Sequence, residues 1–414
     1  MERMRTALAV TPAKSERRVF LRFCFLQAAY WSFYAALPSY ITAYMLMKGM
    51  NAATLGILLS VQMGCAFAGS VFWSRYVDRK QANRRFFLIG ISSVALLSVL
   101  LFLFADRIAV LFVLYPLFGF MNGPIATTLD SWVIAVTHRV EDGAKSRTFG
   151  TLGYAVTMLI SGIVINRFGY RLMPYIAVGL LAAAGITALL QPETATVRRK
   201  IAAVRESPKA LLKAPRYLLL IGVVFFAGLA KGPINNMKVL VFESVGGNVS
   251  FLGWDAFIGC LIQSPFLLFV GRLKRIRNDY RLIGGGICAF LYAFLVWIAS
   301  SPAMIVAGTI FVNISFGLLF PTMREMTEEC VSVHLRTTAH GVADAAFGSI
   351  ASMVATAWSG SMLESAGVNA MCAVCMLLAV VSLFFCGMIV LSRRVSLHQM
   401  RLPGNCASAS GQRV

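Results

Sequence analysis

The sequence predicts an all-α polytopic membrane protein with twelve transmembrane helices in two pseudo-symmetric halves of six. Three observations predict it. Of 414 residues, 58% are hydrophobic and only 13% charged, against about 25% charged in soluble domains. The mean hydropathy is +0.74, and the apolar residues fall into recurring runs of about twenty, the length that crosses a hydrocarbon core as a helix. Such runs are about twice the length of the alternating segments that build a membrane barrel.

The candidate spans are 20–47, 53–74, 86–104, 108–137, 148–166, 172–190, 217–242, 251–271, 282–299, 303–327, 337–361 and 368–391. The longest break, 191–216, reads as a cytoplasmic central loop. It separates a six-helix half, 1–190, from a second, 217–391, and residues 392–414 form a polar cytoplasmic tail.

The net charge of +21 is distributed against a nucleic-acid partner. Its basic clusters sit in short segments between apolar runs or at the termini, and no contiguous basic domain could follow a phosphate backbone. Of 38 lysines and arginines, 30 fall in the termini and even-numbered connections, 4 in the odd-numbered ones and 4 within spans. The positive-inside rule therefore places both termini in the cytoplasm of a cell whose cytoplasmic membrane holds the chain. The first apolar run is too long for a signal-peptide core and follows a basic stretch, so it reads as a retained span. Cys372 and Cys375 form a C-x-x-C inside an apolar stretch, which favours helix packing over zinc or redox use.

The halves also resemble each other in sequence. Phe149-Gly150, Ser161-Gly162 and Gly169 recur as Phe347-Gly348, Ser359-Gly360 and Gly367, all offset by 198 positions. Six spans return the chain to its starting side, so these are parallel repeats. Repeats of that kind place a binding site near the bilayer midplane where they meet.

The plan of six plus six spans with basic central and 2–3 loops resembles the major facilitator superfamily. Its loop motif, G-x-x-x-D-R-x-G-R-K, is degraded here to Ser74 through Lys80: Asp78 and Arg79 are kept and the leading glycine is lost. The resemblance implies a cytoplasmic gating role for Asp78 and Arg79. The segment Ser146-Arg147-Thr148-Phe149-Gly150-Thr151-Leu152-Gly153-Tyr154 is similar to the R-x-F-G-x-x-G-[WY] segment of the lactose permease and the nucleoside and phenylpropionate proton symporters. Gly123-Pro124 and Asp130, Met323-Arg324, and the stretch from Gly360 through Glu364 to Gly367 add to that likeness. The group's span 8 glutamate falls at Gly259-Cys260, its span 10 histidine and glutamate fall near Phe311 and Ile314, and its span 7 acids fall near Lys231 and Asn235. The efflux signature G-P-x-x-G-G is missing from span 5.

Ionisable residues inside a membrane are costly and by default face a cavity or a partner. Asp130 and Arg147 flank a short loop between antiparallel spans. As a pair they could hold a polar substrate by a bidentate fork, or lock the two spans. Lys231, Asn235 and Lys238 stand at i, i+4 and i+7 on one helix face beside Gly232-Pro233. The two cations suit an anionic substrate, pair with Asp344 or Asp255, or, for Lys238, snorkel to the headgroups. Asp344 is a candidate proton site or a partner of Lys231 or Arg324. Arg324 is a candidate cavity residue, Glu328 its helix-end partner, and Glu325 remains open between coupling and structure. Tyr30 and Tyr34, an i, i+4 pair in an aromatic first span, suit stacking on a sugar, nucleoside or aromatic acid. Asn122, Gln62 and Gln263 are weaker candidates.

The substrate-binding set is thus Asp130, Arg147, Lys231, Asn235, Arg324, Tyr30 and Tyr34, and the proton-coupling set Asp344, Asp130 and Glu325. Together they imply a secondary transporter moving a sugar, nucleoside or organic acid by alternating access, as a proton symporter. An efflux antiporter and an uncoupled facilitator are the alternatives of the same fold, and a transport-inactive solute sensor is the alternative of another class. There is no nucleotide-binding loop and no metal-ligand spacing among the four histidines, so neither cofactor, metal nor enzyme activity is expected. The expected partners are a small-molecule substrate, protons and the lipid bilayer, without nucleic acid, and the chain is expected to be a monomer.

Overall fold

The structure is a computed structural model. It describes the backbone of residues 2–80, 82–193, 208–268 and 275–401, and their side chains except at 2–15, 78, 140, 208–209, 267–268, 337 and 393–401. The described residues are helical with short connections and no strand. The predicted loop 191–216 and tail 392–414 lie largely outside them.

The first helices are α1 (Glu2–Ala36), α2 (Ile41–Met47), α3 (Ala52–Lys80), α4 (Asn83–Leu103), α5 (Ile108–Asn122), α6 (Ile125–Thr137), α7 (Val140–Phe168) and α8 (Met173–Leu189). Beyond the central connection come α9 (Pro215–Asn236), α10 (Lys238–Glu243), α11 (Ser250–Leu268), α12 (Asn278–Trp297), α13 (Pro302–Cys330), α14 (Arg336–Ala345) and α15 (Ala351–Arg401). A π-helical turn, Ala346–Ile350, joins the last two.

Among the described residues, nine helical stretches are long and apolar enough to cross a membrane. The sequence predicts twelve, and the differences have local causes. Span 20–47 is divided at a turn containing Pro38, which has no N–H to donate. Span 251–271 reaches the end of the described segment at Leu268. Spans 337–361 and 368–391 run on as one stretch through Gly367, whose φ of 78° departs from helical geometry. The predicted loosening at Gly123-Pro124 is the junction between α5 and α6.

α1 packs on α7 and α8, α3 on α5, α9 on α15, and α12 on α13 and α15. The earlier helices meet the later ones along two main seams, α3 against α15 and α7 against α11. Both seams are tight at one end. On the first, a Cβ added to Gly56 would lie 2.8 Å from the Thr356 carbonyl oxygen, and one on Gly360 would overlap the Ala52 carbonyl. Ser60 Oγ donates to the Met353 carbonyl at 2.9 Å, and the Ala53 N–H donates to Glu364 at 3.0 Å. On the second, a Cβ on Gly253 would lie 2.6 Å from the Met158 carbonyl oxygen, and one on Gly162 3.2 Å from Ser250 Cα. The Tyr40 hydroxyl donates to the same Met158 carbonyl at 2.6 Å.

The sequence repeat has structural counterparts here. Gly162 and Gly360 each admit a facing helix, Ser161 and Ser359 are buried, and Gly169 and Gly367 both have positive φ, 69° and 78°. Only glycine takes that backbone without strain. The correspondence fails at Gly150, which packs on Trp31, and Gly348, which faces open space within the π turn.

Candidate functional site

The first cluster forms where α1, α6 and α7 meet. Arg147 Nη1 donates to Asp130 Oδ2, in a partly exposed ion pair. Gln27 Nε2 donates to Asp130 Oδ1 at 2.8 Å, and Trp31 Nε1 donates to Gln27 Oε1 at 3.0 Å. The Arg147 guanidinium carbon lies 5.4 Å from the Trp31 ring centre. Gly150 makes this closeness possible, since a Cβ there would sit 2.5 Å from Trp31 Cδ1. The Asp130–Arg147 pairing matches the sequence expectation. Gln27 and Trp31 were missing from it, although a glutamine one turn before a tryptophan in an apolar run was the available signal.

Tyr30 is 1% exposed and its hydroxyl donates to Asn122 Oδ1 at 3.2 Å. Its ring belongs to the aromatic core with Phe33 and Phe87, so of the two tyrosines Tyr34 is the better placed. Tyr34 lines a cavity of about 190 Å³ together with Gln62, Asn122 and Asn235.

A second cavity of about 380 Å³ continues past Ser39, Asn235 and Lys238 to Lys231, Gln263 and Asn313. Its floor is a buried triad. Lys238 Nζ donates to Asp255 Oδ2 at 2.6 Å and to Thr309 Oγ1 at 3.0 Å, and Thr309 Oγ1 donates to Asp255 Oδ1. Lys238 therefore does not snorkel: α9 breaks at Met237, α10 restarts at Lys238, and the ammonium turns inward to Asp255. Asn235 accepts from the Tyr292 hydroxyl at 2.7 Å. Lys231 Nζ lies 3.7 Å from the Phe347 ring centre and 5.3 Å from that of Phe316. Phe347 is in the π turn, a distortion that recurs at functional sites.

A third group surrounds the far ends of α12, α13 and α14. Arg324 Nη2 donates to Asp344 Oδ2 at 2.6 Å. Of the two partners expected for Asp344 this is Arg324 and not Lys231, and it corrects one expectation, since Arg324 does not pair with Glu328. Glu328 instead faces His340 at 3.6 Å, because the connection after α13 folds α14 back alongside it. Glu325 takes Arg281 Nη2 at 2.5 Å, and the Arg281 side chain is only 2% exposed. That partner was not foreseen, since Arg281 falls in the connection between candidate spans 251–271 and 282–299. Arg79 is exposed in the last turn of α3, and the side chain of Asp78 lies outside the described residues. Among the described residues no group of three or more His, Cys, Asp or Glu could hold a metal. Cys372 and Cys375 are buried free thiols packed near Tyr292.

Two crystal structures of the nucleoside transporter NupG are similar in fold. One, of a point mutant of that transporter, superposes with a TM-score of 0.76 at 15% identity, covering 90% of this chain and 99% of that one. The other has a TM-score of 0.72 at 16% identity, covering 90% and 98%. The uncharacterized transporter YwbF of Bacillus subtilis (strain 168) is 22% identical over 326 residues, 77% of this chain and 79% of that protein. The helices and these likenesses make the chain an integral membrane protein. The model of the MFS_1 like family matches residues 23–346, and the chain belongs to that family.

Proposed function

We propose that this protein is a secondary transporter that moves a small polar solute across the cytoplasmic membrane by alternating access, coupled to inward proton movement. The single observation that carries this reading is a polar, charge-lined cavity beside the α7–α11 seam, which is tight at one end. Family membership and the fold shared with a nucleoside transporter support it. On this reading twelve spans form two halves, 1–190 and 217–391, with both termini cytoplasmic. The tight end is then the outer face, and the structure corresponds to an inward-facing state. Arg147 and Arg324, with side chains 51% and 44% exposed, line the inner approach.

Asp130 and Arg147 are proposed to bind solute near this entrance, with Tyr34 and Asn235 deeper. Asp344 is the proposed proton carrier. It shares one oxygen with Arg324, while its Oδ1 is buried without a hydrogen-bond partner among the described residues. Protonating that oxygen would remove the cost of leaving a charged acceptor buried and unsatisfied. Asp78 and Arg79 are proposed to act at the inner gate.

The test is solute-induced acidification of proteoliposomes carrying an internal pH dye, with sugars, nucleosides and organic acids as solutes. Acidification that Asp344→Asn abolishes is expected. Solute entry without a pH change would reject proton coupling and leave a facilitator. No entry of any solute would reject the uptake reading.

A further inference from the structure

Counted from the sequence, the intramembrane charges balance: Arg147, Lys231, Lys238 and Arg324 against Asp130, Asp255, Glu325 and Asp344. The structure does not pair them that way. Arg281 takes Glu325, Arg147 takes Asp130, Lys238 takes Asp255 and Arg324 takes Asp344. Lys231 is left over. Among the described residues no carboxylate lies within ion-pair range of its ammonium, and its contacts are the faces of Phe347 and Phe316.

Ring faces attract a cation but supply no counter-charge and no strong acceptor for its three N–H donors. An unpaired cation in a low-dielectric site draws an anion more strongly than it would in water. Lys231 sits on the wall of the 380 Å³ cavity, where Lys238 and Asp255 cancel each other. The polar groups nearby are neutral. Asn313 donates to the Thr309 carbonyl at 2.8 Å. Asn235 accepts from Tyr292, so its acceptor is engaged while its amide N–H groups stay available to a ligand.

We infer that this cavity takes a solute carrying one anionic group, a carboxylate or a phosphate, with the Lys231 ammonium as its counter-charge. The inference rests on the transporter reading and narrows its substrate class. Phe316 and Phe347 hold the ammonium in place while the cavity is empty. The amides of Asn235 and Gln263 are left for the neutral part of the solute. Bound solute completes the charge pairing that the protein leaves unfinished.

The test uses matched probes that differ by one anionic group: galactose and galacturonate, benzyl alcohol and benzoate, uridine and uridine 5′-monophosphate. Binding to the full-length protein in lipid nanodiscs is measured by calorimetry, for wild type, Lys231→Gln and Lys231→Arg. The expected result is a charged member binding at least about tenfold more tightly than its neutral partner. Lys231→Gln should erase that preference and Lys231→Arg should keep it. A preference confined to the sugar and benzyl pairs identifies a carboxylate, and one confined to the uridine pair a phosphate. Equal binding of partners, a preference that survives in Lys231→Gln, or no binding by any charged probe overturns the inference. Uptake of the neutral members into proteoliposomes then separates the two readings: if it persists the transporter reading stands, and if it is absent as well both fall. Melting temperatures of the variants, expected within a few degrees of wild type, show that lost binding is not lost folding.

Discussion

The Glu364 carboxylate accepts the backbone N–H of Ala53 at 3.0 Å, across 311 positions of sequence. Ala53 is in the first turn of α3, where backbone N–H groups have no intrahelical acceptor and the helix dipole favours an anion. A side chain from α15 thus caps α3, and it does so at the tight end of their seam.

Removing that cap should loosen the seam. Glu364→Ala is expected to cost about 1 kcal/mol, the usual value of an N-cap, and so to shift the conformational balance about fivefold toward opening at this end. The rate at which a membrane-impermeant maleimide labels Met63→Cys, on the wall of the 190 Å³ cavity that Tyr34 lines, reads this from outside. An unchanged rate would assign the seal to the backbone contacts alone.

Those contacts are tested by Gly360→Val. Its side chain would overlap the Ala52 carbonyl and the Gly56 backbone, which are main-chain atoms and cannot rotate away. Labelling of Met63→Cys should rise more than with Glu364→Ala, and solute uptake should fall by about tenfold or more, as expected when closure at one face is lost. Gly387→Ala is the control. Among the described residues nothing lies within 4 Å of its new Cβ, so it should be neutral or stabilise by about 0.5–1 kcal/mol.

Arg281 and Glu325 form a nearly buried pair, and among the described residues Arg281 Nε and Nη1 have no hydrogen-bond partner. Breaking such a pair from one side typically costs about 3–5 kcal/mol, whereas replacing both members with apolar residues can be neutral. Glu325→Leu should therefore lower the melting temperature sharply, and Arg281→Met with Glu325→Leu should recover most of it. Proton-coupled uptake by the double variant would make Glu325 structural. Uptake without acidification would return it to the coupling machinery.

Asp130→Asn is expected to behave in the opposite way. Its partner Arg147 is half exposed, and exposed ion pairs contribute about 1 kcal/mol or less to stability. The melting temperature should barely change. Solute counterflow should fall by about tenfold or more, the cost of losing a charge-assisted contact to substrate. A parallel loss of stability and counterflow would mean that the pair only locks α6 to α7.

Much of this architecture was legible in the sequence because membranes impose a long-range rule on a local pattern. A run such as 86–104 must be a helix to satisfy its own backbone in lipid, and α4 (Asn83–Leu103) is one. Gly123-Pro124 marks a real break for a similarly local reason, whereas the break at Pro38 falls inside 20–47, which the sequence predicts as one continuous span. The Asp130–Arg147 pair was also readable, because a short loop forces its two helices to be neighbours. Arg281 was misread because hydropathy places a residue along the membrane normal and says nothing about which helix it faces.

The sequence by itself determined the helical class, most of the crossing segments, the repeat that sets Gly162 against Gly360, and the roster of charges in the membrane. Only the tertiary structure decided how those charges pair. Pairing depends on distances of a few ångströms between helices far apart in sequence, as with Arg281 and Glu325 on α12 and α13. A balanced count of charges could not show that Lys231, among the described residues, is the one left facing two phenylalanine rings. Coulomb energy follows separation and local dielectric, and both are set by packing.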